Sequence, residues 1–206
     1  MLIKWLGHSC FKISVDSQSL IIDPFEKGSV KGFRDLDEKA NIVLCSHLHG
    51  DHCGSSCVEL IESKYDSAFK IETLDSFHDE KQGALRGENL IHIITVLDYY
   101  KVVHLGDLGC MLDEDQIEKI KGCHVLMIPV GGYYTIGPET AKIIVEKTSP
   151  KVIIPMHYRS DDFGYDVLKT VYDFTKYFEK VIYLTTDTFQ FSDELDNEII
   201  VLDYQI

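Results

Sequence analysis

Between positions 45 and 54 the chain reads CSHLHGDHCG, which places His47, His49, Asp51 and His52 within six positions. In an extended segment alternate residues share a face, so His47, His49 and Asp51 begin on one side. Gly50 permits a sharp turn that brings His52 round to the same pocket. Left unpaired, this much polarity at a strand end is costly to desolvate. A divalent cation offsets that cost, because neutral imidazole and carboxylate are good zinc ligands. A lone histidine is more often a hydrogen-bonded surface or core residue; the H-x-H-x-D-H spacing sets this group apart. Adjacent side chains diverge, so the quartet chelates one ion poorly. Two ions sharing it fit better, provided other segments add ligands. His78 in SFHDE, Asp107 in HLGDLG and His157 in PMHYR are the candidates. Each follows or ends an apolar run, where sites collect in α/β proteins.

Short strands must position these groups. Residues 1–6, 10–16 and 19–25 are apolar or alternating runs broken by Gly, Ser, Asp and Pro. NIVLCS, residues 41–46, reads as a buried strand ending at the histidine cluster, and SCVELIES, residues 56–63, as a helix. The cluster is thus expected on a strand-to-helix turn. ENLIHIITVL and YKVVHLGD form an expected hairpin through Asp98–Tyr99. Residues 114–122 are amphipathic with Gly122 as a helix stop, and HVLMIPV at 124–130 is a strand. Pro138 opens a second helix, PETAKIIVEKTS. KVIIPMHY reads as a strand, and residues 165–178 as a further helix. KVIYLTT, TFQFS and EIIVLDYQI close the chain as strands. The coarse expectation is one mixed α/β domain over residues 1–206.

The formal net charge of −14 argues against a dedicated DNA or RNA binder, whose footprint is a basic face. No stretch approaches the roughly 18 apolar residues that cross a bilayer, and MLIKWLGHSC lacks a secretory apolar region. Cytoplasmic location is the expectation. The six cysteines form no CxxC pair and read as reduced thiols, not as a disulfide framework.

HLHGDH, a distant His, a GD after a strand and a late His after another strand together resemble the metallo-β-lactamase fold superfamily. GHSCF at 7–11, IIDP at 21–24, His78-Asp79 with Gly83, Arg86, Gly87 and Asn89, HLGDLG at 104–109, IPVGGYYT at 128–135 and IPMHY at 154–158 resemble its small UlaG-like, Zn-dependent hydrolase branch. That resemblance implies a four-layer αββα sandwich of mixed, mostly antiparallel sheets with the site at one edge. It also implies two divalent ions, zinc or manganese. His47, His49 and His78 would hold one, Asp51, His52 and His157 the other, and Asp107 would bridge them. His at position 49, in place of a carboxylate, resembles the hydrolase pattern and not the flavin-coupled di-iron branch.

The activity so implied is hydrolysis of a small ester, lactone or phosphoester, which an anionic substrate would suit. The nucleophile would be a hydroxide clamped by both ions, and no GxSxG elbow is present. Asp51 is the candidate catalytic residue, orienting that hydroxide and shuttling a proton. Asp23 is expected to hold a ligand imidazole, or else to form a turn before Pro24. His8 faces the ions or the substrate, or is a satisfied loop histidine. Arg86 either holds a substrate anion or pairs with Glu88. Tyr133 and Tyr134 are pocket walls or packing aromatics. His92, His104 and His124 read as structural, and Cys53 as a buried free thiol. Two other readings stand beside the hydrolase: a nuclease or phosphodiesterase on nucleic acid, and a non-catalytic metal-binding scaffold. The first lacks a basic tract or gripping arm; the second would favour a degenerate ligand set, which this is not.

Overall fold

The computed structural model describes residues 1–205. Alternating apolar and polar residues make the first three strands, β1 (Leu2–Gly7), β2 (Cys10–Val15) and β3 (Gln18–Ile22), into an antiparallel meander. β4 (Glu38–Ala40), β5 (Ile42–Leu44) and β6 (Val58–Leu60) follow, and β5 joins β3 in parallel. β7 (Phe69–Phe77), β8 (Glu88–Val96) and β9 (Tyr100–His104) form a second antiparallel meander, including the hairpin at Asp98–Tyr99.

Helices then alternate with strands. α1 (Glu114–Ile120) precedes β10 (Val125–Pro129), and α2 (Pro138–Thr148) precedes β11 (Val152–Met156). α3 (Val171–Thr175), β12 (Val181–Tyr183), β13 (Thr188–Gln190) and β14 (Glu198–Val201) complete the chain. Asp113 and Gln116 cap α1 reciprocally, Pro138 starts α2 without wasting an N–H, and Gly122 at φ +62° follows α1.

Two sheets pack face to face. One has the order β13-β1-β2-β3-β5 and the other β12-β14-β11-β10-β9-β8-β7. Both are mixed. Crossovers through helices make β9, β10, β11 and β14 of the second sheet parallel, so antiparallel pairing concentrates in the two meanders. The shared core takes Ile3, Trp5, Phe11, Ile13, Leu20 and Ile22 from one sheet and Ile91, Val103, Leu126 and Ile154 from the other. The residues between them, Leu6, Cys10 and Ile21, face the opposite way and pack with Phe25, Val30, Ala40 and Val58. The outer layer on that side is therefore the 24–37 segment and the parallel β4–β6 ribbon.

Three expectations change. Residues 56–63 form no α-helix. A 3₁₀ turn at Ser55–Cys57 leads into β6, because β6 pairs with Glu38–Ala40 and gains a ladder that an isolated two-turn helix lacks. The helix expected over 165–178 shrinks to α3, since Leu168 and Lys169 bond back to Tyr165 and Gly131 and Arg159 bridges to Thr170. The closing strand ends at Val201, and Ile206 lies outside the described residues. Among the described residues no helix is long and apolar enough to cross a membrane.

Candidate metal centre

Parallel pairing puts several strand ends on one edge, and the chemistry collects there. His8 sits in the β1–β2 turn, Asp23 follows β3, and the 47–52 turn follows β5. His78, Asp107 and His157 follow β7, β9 and β11. The 47–52 turn closes on itself, the N–H groups of His52 and Cys53 bonding the His49 carbonyl at 2.9 and 2.8 Å. Three non-glycine residues of this edge, His8, Asp23 and His157, are held at φ +53°, +50° and +54°. Such strain persists only where the surroundings over-determine it, and it clusters at functional sites.

Three overlapping groups of ligating atoms emerge, each confined within 4.8 Å: His47, His49 and His78; His8, Asp51, His52 and His157; and His47, His52 and Asp107, which links the other two. Asp107 stands between them, with His78 Nε2 and His157 Nε2 each 3.2 Å from its Oδ2 and His52 Nε2 3.1 Å from its Oδ1. Yet His52 Nε2, His157 Nε2, His47 Nε2, both nitrogens of His8 and Asp107 Oδ1 are buried without a well-directed hydrogen bond. Buried polar atoms are rarely left so. Their lone pairs converge on shared points, which suits a cation and not one another.

The supporting contacts fix the tautomers. Asp23, fully buried, accepts from the Ser46 amide at 2.6 Å and hydroxyl at 2.7 Å and pairs with His52 Nδ1 at 2.9 Å. The Ser46 hydroxyl hydrogen is thereby used, so His47 Nδ1, 3.0 Å away, donates to that oxygen and leaves Nε2 bare. His104, buried beside Asp23, donates from Nε2 to the Ser9 carbonyl and accepts the Gly106 N–H at Nδ1. It braces the site from within the core, in agreement with a structural role. His92, bonded to the Cys45 carbonyl, and His124, accepting the Lys101 N–H, are structural too.

Burial, reinforced by His157, pushes His8 down to about 3, and burial with His52 pushes His47 down to about 4, so both stay neutral donors. Burial opposes ionisation of Asp107, but His157 and His52 hold it well below the usual carboxylate range. Asp51 behaves likewise beside His8. Burial also disfavours a charge on His52, yet Asp107 and Asp23 outweigh it and draw a proton there. The neutral imidazoles of His8 and His47 among ionised buried carboxylates suit a divalent cation, which would take the place of the extra proton that Asp107 and Asp23 draw to His52.

The open side is a cavity of about 350 Å³ lined by His49, Asp51, His78, Asp107 and His157. Arg86, Tyr134 and Tyr165 form the rest of its wall. Every ligand candidate from the sequence is thus brought together, and His8 joins them. Asp23 takes the supporting position. Arg86 reaches the cavity and makes no ion pair with Glu88. Tyr134 lines the metal cavity, and Tyr133, 65% exposed, joins it in lining an adjoining cavity. Cys53 is half-buried, not buried. Tyr165, which the sequence did not single out, places its hydroxyl 3.1 Å from Asp51 Oδ2. A larger cleft of about 590 Å³ at Asp16–Gln18 and Tyr65–Ala68 holds none of these residues.

A sheet sandwich with a histidine–carboxylate cluster at its strand ends defines the class: the metal-dependent hydrolases of the metallo-β-lactamase superfamily. The chain belongs to the beta-lactamase superfamily domain family, whose profile matches residues 2–157. It is 28% identical over 191 residues to a UPF0173 metal-dependent hydrolase of Thermococcus onnurineus, covering 77% of this chain and 84% of that one. The crystal structure of a Zn-dependent hydrolase assignment in the metallo-beta-lactamase superfamily, from Thermotoga maritima, superposes with a TM-score of 0.77 at 29% identity, covering 99% of both chains. A metallo hydrolase from Ignicoccus hospitalis shares the fold at a TM-score of 0.63 and 20% identity, over 82% of this chain and 85% of that one.

Proposed function

We propose that the protein hydrolyses a small ester, lactone or phosphoester with two divalent ions, zinc or manganese, and that residues 1–206 form one domain around that site. The observation that carries this reading is the convergence of imidazoles from four chain segments, several with unpartnered buried nitrogens, around Asp107. His47, His49 and His78 would hold one ion. Asp51, His52 and His157, with His8 beside them, would hold the other, and Asp107 would serve both. When bound, the ions supply Lewis acidity toward a carbonyl or phosphoryl oxygen and make hydroxide available near neutral pH.

The chain's own groups do the rest. Asp23 and Ser46 keep His52 and His47 in the tautomers that present Nε2. Asp51 borders the cavity and is positioned to carry a proton toward the leaving group, with Tyr165 steadying its Oδ2. A cavity of about 350 Å³ suits a small molecule, and the −14 charge repels polyanions. Six free cysteines favour a reducing compartment, so we place the protein in the cytoplasm.

Elemental analysis of protein purified without added metal or a histidine tag tests the site. About two ions per chain are expected. The metal-loaded protein should then turn over a panel of lactones, sugar phosphates and phosphodiesters, and His47→Ala should abolish that. Failure to bind zinc or manganese even when supplied would leave a scaffold protein in place of an enzyme.

A further inference from the structure

Arg86 is the one cation on the wall of the metal cavity, and the structure gives it an unusual setting. Asp79, on the same loop, is buried at 3% exposure and bonds the Arg86 backbone. Both Asp79 oxygens are already spent. Oδ1 accepts the N–H groups of Lys81 and Gly83 at 2.7 and 3.2 Å, and Oδ2 those of Leu85 and Arg86 at 2.9 and 2.8 Å. The loop is thus wound around Asp79 by its backbone, and the carboxylate is closed to the guanidinium. Among the described residues no carboxylate lies within 4.0 Å of the Arg86 nitrogens. In a chain with 34 acidic residues against 20 basic ones, an arginine left free at this spot is a constructed feature.

Its orientation is also set. The guanidinium lies over the Tyr134 ring, 5.7 Å from the centroid, which holds the planar fork while leaving its donors open. Arg86 and Tyr134 together form the partition between the metal cavity and an adjoining cavity of about 330 Å³. An anionic group held at the partition would sit beside the scissile bond, with room for a substituent beyond.

We infer that Arg86 is a specificity-determining residue that selects substrates bearing a carboxylate or phosphate next to the bond hydrolysed. The inference rests on the hydrolase reading for the chemistry, and on Arg86 alone for the anion. Asp79 is the positioning residue behind it.

Calorimetric titration of zinc-loaded wild type, Arg86→Met and Arg86→Lys with benzoate, phenyl phosphate and neutral benzamide tests it. Arg86→Met should bind at least one anion about 10- to 100-fold more weakly, the range of a lost charge-assisted pair. Arg86→Lys should recover part of that, and benzamide should not distinguish the three. Whichever anion loses more identifies the substrate group. Anion affinity in Arg86→Met equal to wild type, or no anion binding by wild type, overturns the assignment. In parallel, the ratio of kcat/KM for mono-p-nitrophenyl succinate to that for p-nitrophenyl acetate should fall in Arg86→Met. Arg86-dependent anion binding with no ester, lactone or phosphoester turned over would sink the hydrolase reading and leave the anion site standing.

Discussion

Asp23 Oδ2 lies 2.9 Å from His52 Nδ1, and both side chains are wholly buried. The pairing holds the proton on Nδ1 and turns Nε2 toward Asp107. Asp23→Ala should therefore lower metal affinity about 10- to 100-fold, the usual cost of losing such a support. Competition against a chelator measures it. Unchanged affinity would reduce Asp23 to a turn residue before Pro24.

His8 gives a prediction that separates ligand from filler. Its ring is fully buried, both nitrogens lack partners, and Nε2 stands 3.6 Å from Asp51 Oδ2. If it ligates an ion, His8→Ala should leave the metal-free melting temperature close to wild type. The stabilisation gained on adding zinc should shrink by about 1.4–2.7 kcal/mol, equivalent to a 10- to 100-fold weaker site. Equal losses with and without zinc would make His8 a packing residue.

Gly109 is required by space. A Cβ there would fall 2.2 Å from the His78 carbonyl carbon and 2.3 Å from the Asp79 nitrogen, both backbone atoms that cannot swing aside. Gly109→Ala should cost about 3 kcal/mol and displace His78 from its group. Urea denaturation and zinc stoichiometry report the two effects. A variant of wild-type stability would mean that the loop relaxes freely.

Asp79 winds the loop that carries Arg86, so Asp79→Ala should free residues 80–87. Trypsin supplies the readout, because Lys81 and Arg86 lie within the loop. Cleavage there should be faster in the variant than in wild type. Equal rates would show that the four backbone bonds are not what holds the loop.

Glu38 offers a pH test remote from the centre. It receives Lys4 at 3.0 Å and Lys12 at 2.8 Å, tying β4 to β1 and β2. Burial raises its pKa, but the two lysines outweigh that and bring it below the ordinary value of 4.5. A depressed folded pKa adds stability above the unfolded value that is lost as pH falls through the folded one. Glu38→Gln should thus cost about 1 kcal/mol at neutral pH, and the difference should vanish in acid below both values. A constant difference across that range would refute the pairing.

Much of the centre was legible in the sequence because it is local. H-x-H-x-D-H sets four donors on one turn, and apolar runs ending in His or Asp mark strand ends. Helices α1 and α2 announced themselves through Gly122 and Pro138. β7 did not, because its FKIETLDSF is largely solvent-exposed at a sheet edge and carries little apolar alternation. Residues 56–63 misled because β6 draws its stability from a partner strand about 20 positions earlier, which no local propensity records.

Residue types and spacing by themselves set out the candidate donors and the strand ends on which they sit, and the motifs around them carried the resemblance to the family. Only the tertiary structure decided what faces them. Tyr165 reaches Asp51 from 114 positions away, His8 enters the ligand group from the first turn, and Arg86 is left unpaired because backbone amides consume Asp79. These are contacts between segments distant in sequence. Their energies depend on burial and geometry that exist only once both sheets have packed.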